Sequence, residues 1–172
     1  TELQTRFGTK NLMARTRMQA ALSTTVAHRI VGWQAPLERL SESFQAVQST
    51  LNVVQFGGPI GSLAALGPKG PHVRSLLAQC LGLNDPKGAW HTDRSRLLEY
   101  TFWLSSLANA LGKLGQDILL MSQDERGEIV LTGAGGSSAM AHKKNPVKAE
   151  ILLALARFVT TLQSGMQQAS VH

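Results

Sequence analysis

The chain has 172 residues, 43% of them apolar, and a net charge of +6 from 17 Lys and Arg against 11 Asp and Glu. That length supports a substantial core, and the composition excludes a disordered chain. No apolar run reaches the ~18 residues that a membrane span needs, which argues against a membrane protein.

Aromatics are 5% of the chain, and the basic residues are scattered apart from Lys143-Lys144 and the group Arg94, Arg96. A nucleic-acid surface would be denser in cations and interleaved with rings, so the charge fits a small polyanionic substrate better. No basic-then-apolar leader opens the chain. The single cysteine, Cys80, cannot form an internal disulfide and is expected as a buried thiol in a reducing, cytoplasmic compartment.

In chain order, residues 1–7 read as the tail of a helix ended by Gly8. The chain ends within a helical pattern, as a piece of a longer chain would. Residues 10–22 read as polar and irregular. Thr24 or Thr25 caps the next helix, where Val26, Ile30, Trp33, Leu37, Leu40, Phe44, Val47, Leu51 and Val54 alternate steps of four and three. This heptad seam predicts a long bundle helix that continues, kinked, across Pro36 and stops at Gly57-Gly58-Pro59. Residues 56–70 predict close backbone packing with one short helical turn. Pro71 opens a short helix through Leu81, ended by Gly82.

Thr92 or Asp93 caps a second long helix with Leu97, Tyr100, Leu104, Leu107, Leu111, Leu114, Ile118 and Met121 on its seam. A third runs from Pro146, with Val147, Ile151, Leu155, Phe158, Leu162 and Met166 on one face. Asn145 reads as its N-cap. Together the three helices present more apolar stripe than they can cover, which predicts self-association through them. No useful strand alternation appears; Glu128-Ile129-Val130-Leu131 predicts at most an isolated extended piece. The fold class is all-α, one helical domain over residues 1–172.

Residues 127–145 carry no helical or strand pattern, yet Gly133-Ala134-Gly135-Gly136-Ser137-Ser138-Ala139-Met140-Ala141-His142-Lys143-Lys144-Asn145-Pro146 concentrates hydroxyls, ammonium groups and an amide. On composition alone this is a flexible linker as readily as a functional loop. Its order resembles the signature loop of the fumarase/aspartase superfamily. The resemblance implies that Ser137 is the catalytic base, that Lys143 and Asn145 bind a substrate carboxylate, that Ser138 and Met140 are further substrate contacts, and that Glu150 is the helix carboxylate that follows. Ala141 stands where most members have Pro.

Ala14-Arg15-Thr16-Arg17-Met18-Gln19 is similar to a second superfamily stretch. It implies substrate binding by Thr16 and Gln19, with Arg17 where the family has a histidine. Arginine cannot shuttle protons near neutrality, so a fixed cation replaces an acid/base group. The bland reading of Arg17 is an exposed loop arginine. Gly57-Gly58-Pro59-Ile60-Gly61-Ser62 resembles the glycine-rich turn after the first long helix, and backbone packing explains it best. Trp90-His91-Thr92-Asp93-Arg94-Ser95-Arg96 resembles a third stretch, in the form that the 3-carboxy-cis,cis-muconate cycloisomerases carry. It implies Arg94 as a substrate cation; His91 reads equally as substrate-facing or as a cap.

The resemblance implies a central helical domain whose long helices join those of three other subunits, with each site built from three subunits. It implies proton transfer by a loop serine, through an enediolate, on a small polycarboxylate. The activity would be lactonisation or, as an alternative, fumarate release of the adenylosuccinate or argininosuccinate lyase type. A non-catalytic helical assembly module is the reading of another class. No Cys/His cluster has metal-ligand spacing and no dinucleotide or phosphate loop appears, so neither metal nor cofactor is expected.

Overall fold

The structure, a computed structural model, describes residues 1–132, 135–136, 139–140 and 142–171. A short helix α1 (Glu2–Phe7) leads into strands β1 (Asn11–Thr16) and β2 (Gln19–Thr25). Helix α2 (Val26–Leu51), a 3-10 turn (Ala64–Lys69) and helix α3 (Gly70–Leu81) follow. Helix α4 (Ser95–Met121), the short strands β3 (Gly135–Gly136) and β4 (Lys144–Asn145), and helix α5 (Val147–Ala169) complete the order. The all-α expectation holds for the architecture: long helices carry it and the strands are few. None of the described helices is long and apolar enough to cross a membrane.

The chain divides into two compact units. Unit 1 holds Thr1–Ser41 and Ser106–Thr160, and unit 2 holds Glu42–Ser105 and Thr161–His172. In unit 1 the first half of α2 meets the second half of α4 around Asp117. Its carboxylate accepts from the Trp33 indole at 2.7 Å, lies 3.7 Å from the Arg29 guanidinium and is paired with Lys113. Helix α5 lies close against α4 because two positions on α4 lack a side chain. A Cβ on Gly112 would collide with that of Ala156, and one on Gly115 would sit 2.7 Å from the Ala149 carbonyl oxygen. Small residues at these crossings let the backbones approach.

In unit 2, Phe44 and Trp103 pack with ring centroids 4.8 Å apart, and Arg96 donates to the Thr50 carbonyl at 3.0 Å. Arg74 on α3 and Asp85 in the following loop form a nearly buried ion pair at 2.6 Å, with the Lys87 amide also on Asp85. The Arg74 guanidinium, first, and the Lys87 amide hold the Asp85 carboxyl below the usual carboxylate range.

Four local expectations are corrected. Residues 10–22 are not irregular: β1 and β2 form an antiparallel hairpin with Asn11 opposite Thr25 and Thr16 opposite Gln19. Only Leu12 of the two strands is buried, so no alternating apolar face marks them. The seam helix ends at Leu51, not at Gly57, because Val53 and Val54 leave it to bridge Asn84. Residues 127–145 contain a ribbon of two short strands, although Glu128-Ile129-Val130-Leu131 forms none. Cys80 is exposed, since α3 buries Gly70, Arg74 and Ala78 at steps of four and Cys80 lies well round the helix from them.

Other boundaries agree. Thr25 is the cap of α2, its hydroxyl accepting from the His28 amide at 3.2 Å. Pro36 lies inside a continuous helix. Gly82 ends α3 in the left-handed conformation at φ 65°.

Candidate functional site

The ribbon of β3 and β4 sets the geometry of the signature loop. Gly135 pairs with Asn145 and Gly136 with Lys144, so the residues between are closed at their base by main-chain pairing. A Cβ on Gly135 would lie 3.0 Å from the Val147 methyl group, a tight contact that glycine avoids. Within the loop the Lys143 amide donates to the Met140 carbonyl at 3.0 Å, which turns the chain before β4. Ser137 and Ser138 lie outside the described residues. Lys143 and Met140 are exposed, and Asn145 is half-buried.

Asn145 does not cap α5. It is spent on β4, and the helix begins one residue later than expected: Pro146 supplies the carbonyl that the Ala149 and Glu150 amides use at 2.9 and 3.1 Å. The Asn145 side chain is therefore released from capping, two residues before the positive end of a 23-residue helix. Glu150 is exposed on the first turn of α5.

Thr16, Arg17 and Gln19 lie together at the hairpin tip of the same unit, all exposed. Thr16 and Gln19 are the closing pair, and Arg17 and Met18 form the two-residue turn with φ of 48° and 66°. Both therefore sit in the left-handed region, where a residue with a Cβ costs about 1–3 kcal/mol. Hairpins of this kind ordinarily carry Asn-Gly or Asp-Gly, which explains why the turn was not legible. The stretch entering the signature loop is fixed to this hairpin by Arg15, whose Nε lies 3.0 Å from the Glu128 carboxylate. Glu128 was missed; a lone carboxylate in an irregular segment carries no pattern.

The third stretch lies in the other unit. Trp90 is anchored twice, its indole donating to the Val54 carbonyl and its amide to the Gln55 side chain, each at 3.1 Å. The glycine-rich turn makes room for the residues on either side of Trp90: a Cβ on Gly57 would lie 2.5 Å from the Ala89 methyl and 2.9 Å from the His91 ring. His91 itself is exposed. It is not the helix cap, because Asp93 accepts from the Ser95 amide at 3.0 Å; the Ser95 side chain first, and that amide second, hold the Asp93 carboxyl below the usual carboxylate range. Arg94 donates to the Ala169 carbonyl at 2.6 Å, placing a cation at the negative end of α5. Of the cations picked from sequence, Arg94 thus has a structural partner.

A cavity of about 420 Å³ between α4 and α5 is lined by Lys113, Arg157 and Thr160 among others. None of the residues in the three superfamily-like stretches lines it. Among the described residues no group of three or more His, Cys, Asp or Glu is placed to hold a metal ion.

Residues 7–160 match the model of a protein family described as lyase. The chain is 40% identical over 164 residues to a 3-carboxy-cis,cis-muconate cycloisomerase of Pseudomonas aeruginosa, covering 91% of this chain and 36% of that protein. It is 32% identical over 155 residues to an adenylosuccinate lyase of Methanocaldococcus jannaschii, covering 87% of this chain and 34% of the relative. Its fold superposes on the crystal structure of the 3-carboxy-cis,cis-muconate lactonizing enzyme of Pseudomonas putida with a TM-score of 0.91 at 37% identity, over 99% of this chain and 38% of that one. The chain thus spans little more than a third of the length of these relatives.

Proposed function

We propose, from the premise that this chain belongs to the lyase family of the fumarase/aspartase superfamily, that it is the central helical domain of a 3-carboxy-cis,cis-muconate cycloisomerase. The observation that carries this reading is the signature loop, a superfamily motif held closed by the pairing of Gly135 with Asn145 and Gly136 with Lys144. The kinship at 36–40% identity with cycloisomerases supports the choice within the superfamily. The proposed setting is cytoplasmic, with no cofactor.

In this reading a carboxylate oxygen of a tricarboxylic muconate adds to a double bond, and a proton reaches the neighbouring carbon. Ser137 exchanges that proton. Serine is a poor base unless its alkoxide is stabilised, and the Lys143 ammonium with the loop's main-chain amides supplies the positive field. Lys143 and Asn145 hold the carboxylate next to the developing carbanion, while Thr16, Arg17 and Gln19 hold another. His91 is a further substrate contact; Arg94 keeps only those guanidinium protons that Ala169 does not use. Ser138 and Met140 are further substrate contacts in this reading.

Self-association, as a homotetramer, belongs to the same reading. It is supported by the seam of α5: Val147, Ile151, Leu155, Phe158 and Leu162 are 42–61% exposed, while Ala149, Ala156 and Gln163 are the buried side. The apolar face of this helix is left for another copy.

The test uses the full-length protein. Loss of the diene absorbance of 3-carboxy-cis,cis-muconate, with a lactone as product, is expected. Ser137→Ala should lower turnover by orders of magnitude with folding retained; near-normal turnover would remove Ser137 from the mechanism. Fumarate release from a succinyl substrate instead would move the assignment to the lyases. No turnover and no tricarboxylate binding would leave a helical assembly module.

A further inference from the structure

We infer that Arg17 is the specificity-determining residue of this site: the strained turn holds its guanidinium for a third carboxylate, the one borne on carbon 3 of the muconate. The inference rests on the proposed cycloisomerase function. Thr16 faces Gln19, so the hairpin closes through Arg17 and Met18 alone, and both have positive φ. Neither has the short polar side chain that lets Asn or Asp bond to its own backbone there, and neither is glycine. Packing within the chain does not repay the strain, since Met18 is 66% exposed and Arg17 is exposed too.

The neighbouring guanidiniums are engaged. Arg15 is held by Glu128 and Arg94 by Ala169. Among the described residues no hydrogen bond or ion pair holds the exposed Arg17, so its five N–H donors are available to a ligand. Thr16 and Gln19, a hydroxyl and a carboxamide residue, are the two strand ends that flank the turn. A guanidinium flanked by neutral donors suits a carboxylate, which it binds bidentately. A sequence under no such demand would carry Asn-Gly in this turn. Keeping Arg-Met trades hairpin stability for a cation at the hairpin tip.

The test makes stability and selectivity move in opposite directions. In the full-length protein, R17N/M18G should melt several degrees above the parent. Its preference in kcat/KM for 3-carboxy-cis,cis-muconate over cis,cis-muconate, which lacks the third carboxylate, should fall at least ~30-fold, about 2 kcal/mol. M18G alone should also melt higher but keep the preference, and R17K should fall between. An unchanged preference in R17N/M18G, or a lower melting temperature, overturns the inference. Should the parent not lactonise, the functional reading fails on its own, and calorimetry with propane-1,2,3-tricarboxylate and succinate decides the rest. Parental discrimination lost in R17N/M18G upholds the role of Arg17; equal parental affinity for both ligands refutes it.

Discussion

The Arg15 guanidinium and the Glu128 carboxylate meet at 3.0 Å across 113 residues of sequence, with side chains only 26% and 11% exposed. The contact joins the β1–β2 hairpin to the segment that enters the signature loop. Glu128 is itself fixed, since its amide and that of Ile129 both donate to the Met121 carbonyl at the end of α4. Two parts of the candidate site are thereby given one reference point.

A double-mutant cycle with Arg15→Met and Glu128→Gln should return a coupling of about 1 kcal/mol in urea unfolding. That is above an exposed ion pair and at the lower end for a charged hydrogen bond. Coupling below ~0.3 kcal/mol would show that the pair is incidental.

Glycine substitutions on the long helices should have opposite signs. Gly112→Ala and Gly115→Ala force a Cβ into Ala156 and into the Ala149 carbonyl. Overpacking of this kind costs about 1–3 kcal/mol, more than the ~1 kcal/mol gained in helix propensity. Gly165→Ala on α5 meets nothing within 4 Å and should stabilise by up to about 1 kcal/mol. Thermal melts of the three variants check this, and equal effects at positions 112 and 165 would contradict the close approach of α4 and α5.

Acid should weaken unit 2 through Asp85. Arg74 and the Lys87 amide lower its folded pKa. Its stabilisation is therefore fully present above the unfolded value of about 3.9 and is lost as pH falls through the lower folded value. Asp85→Asn should melt below the parent at pH 7, and the difference should shrink as the pH is taken below about 3.9. A gap that stays constant down to about pH 2.5 would assign the effect to something other than this carboxylate.

Assembly should depend on the exposed seam of α5. Leu155 and Phe158 are 51% and 61% exposed, so Leu155→Glu with Phe158→Glu should leave helix content intact. The same change should lower the mass of the full-length protein in light scattering. An unchanged mass would place self-association elsewhere.

The long helices were legible because a repeat of three and four from Val26 to Leu51, or from Leu97 to Met121, is a local signal that survives any partner. The same held for Gly82 as a stop and Asp93 as one of two candidate caps, which depend only on adjacent backbone. Residue order, and not composition, picked out residues 133–146 as a candidate loop. The hairpin was hidden because its turn violates the residue preferences of its own geometry and its strands bury almost nothing. Tertiary structure alone decided that Val54 leaves its helix for Asn84, that Arg94 serves the end of α5, and that Glu128 holds Arg15. Each depends on a partner distant in sequence, whose proximity costs chain entropy and appears only once the chain has folded.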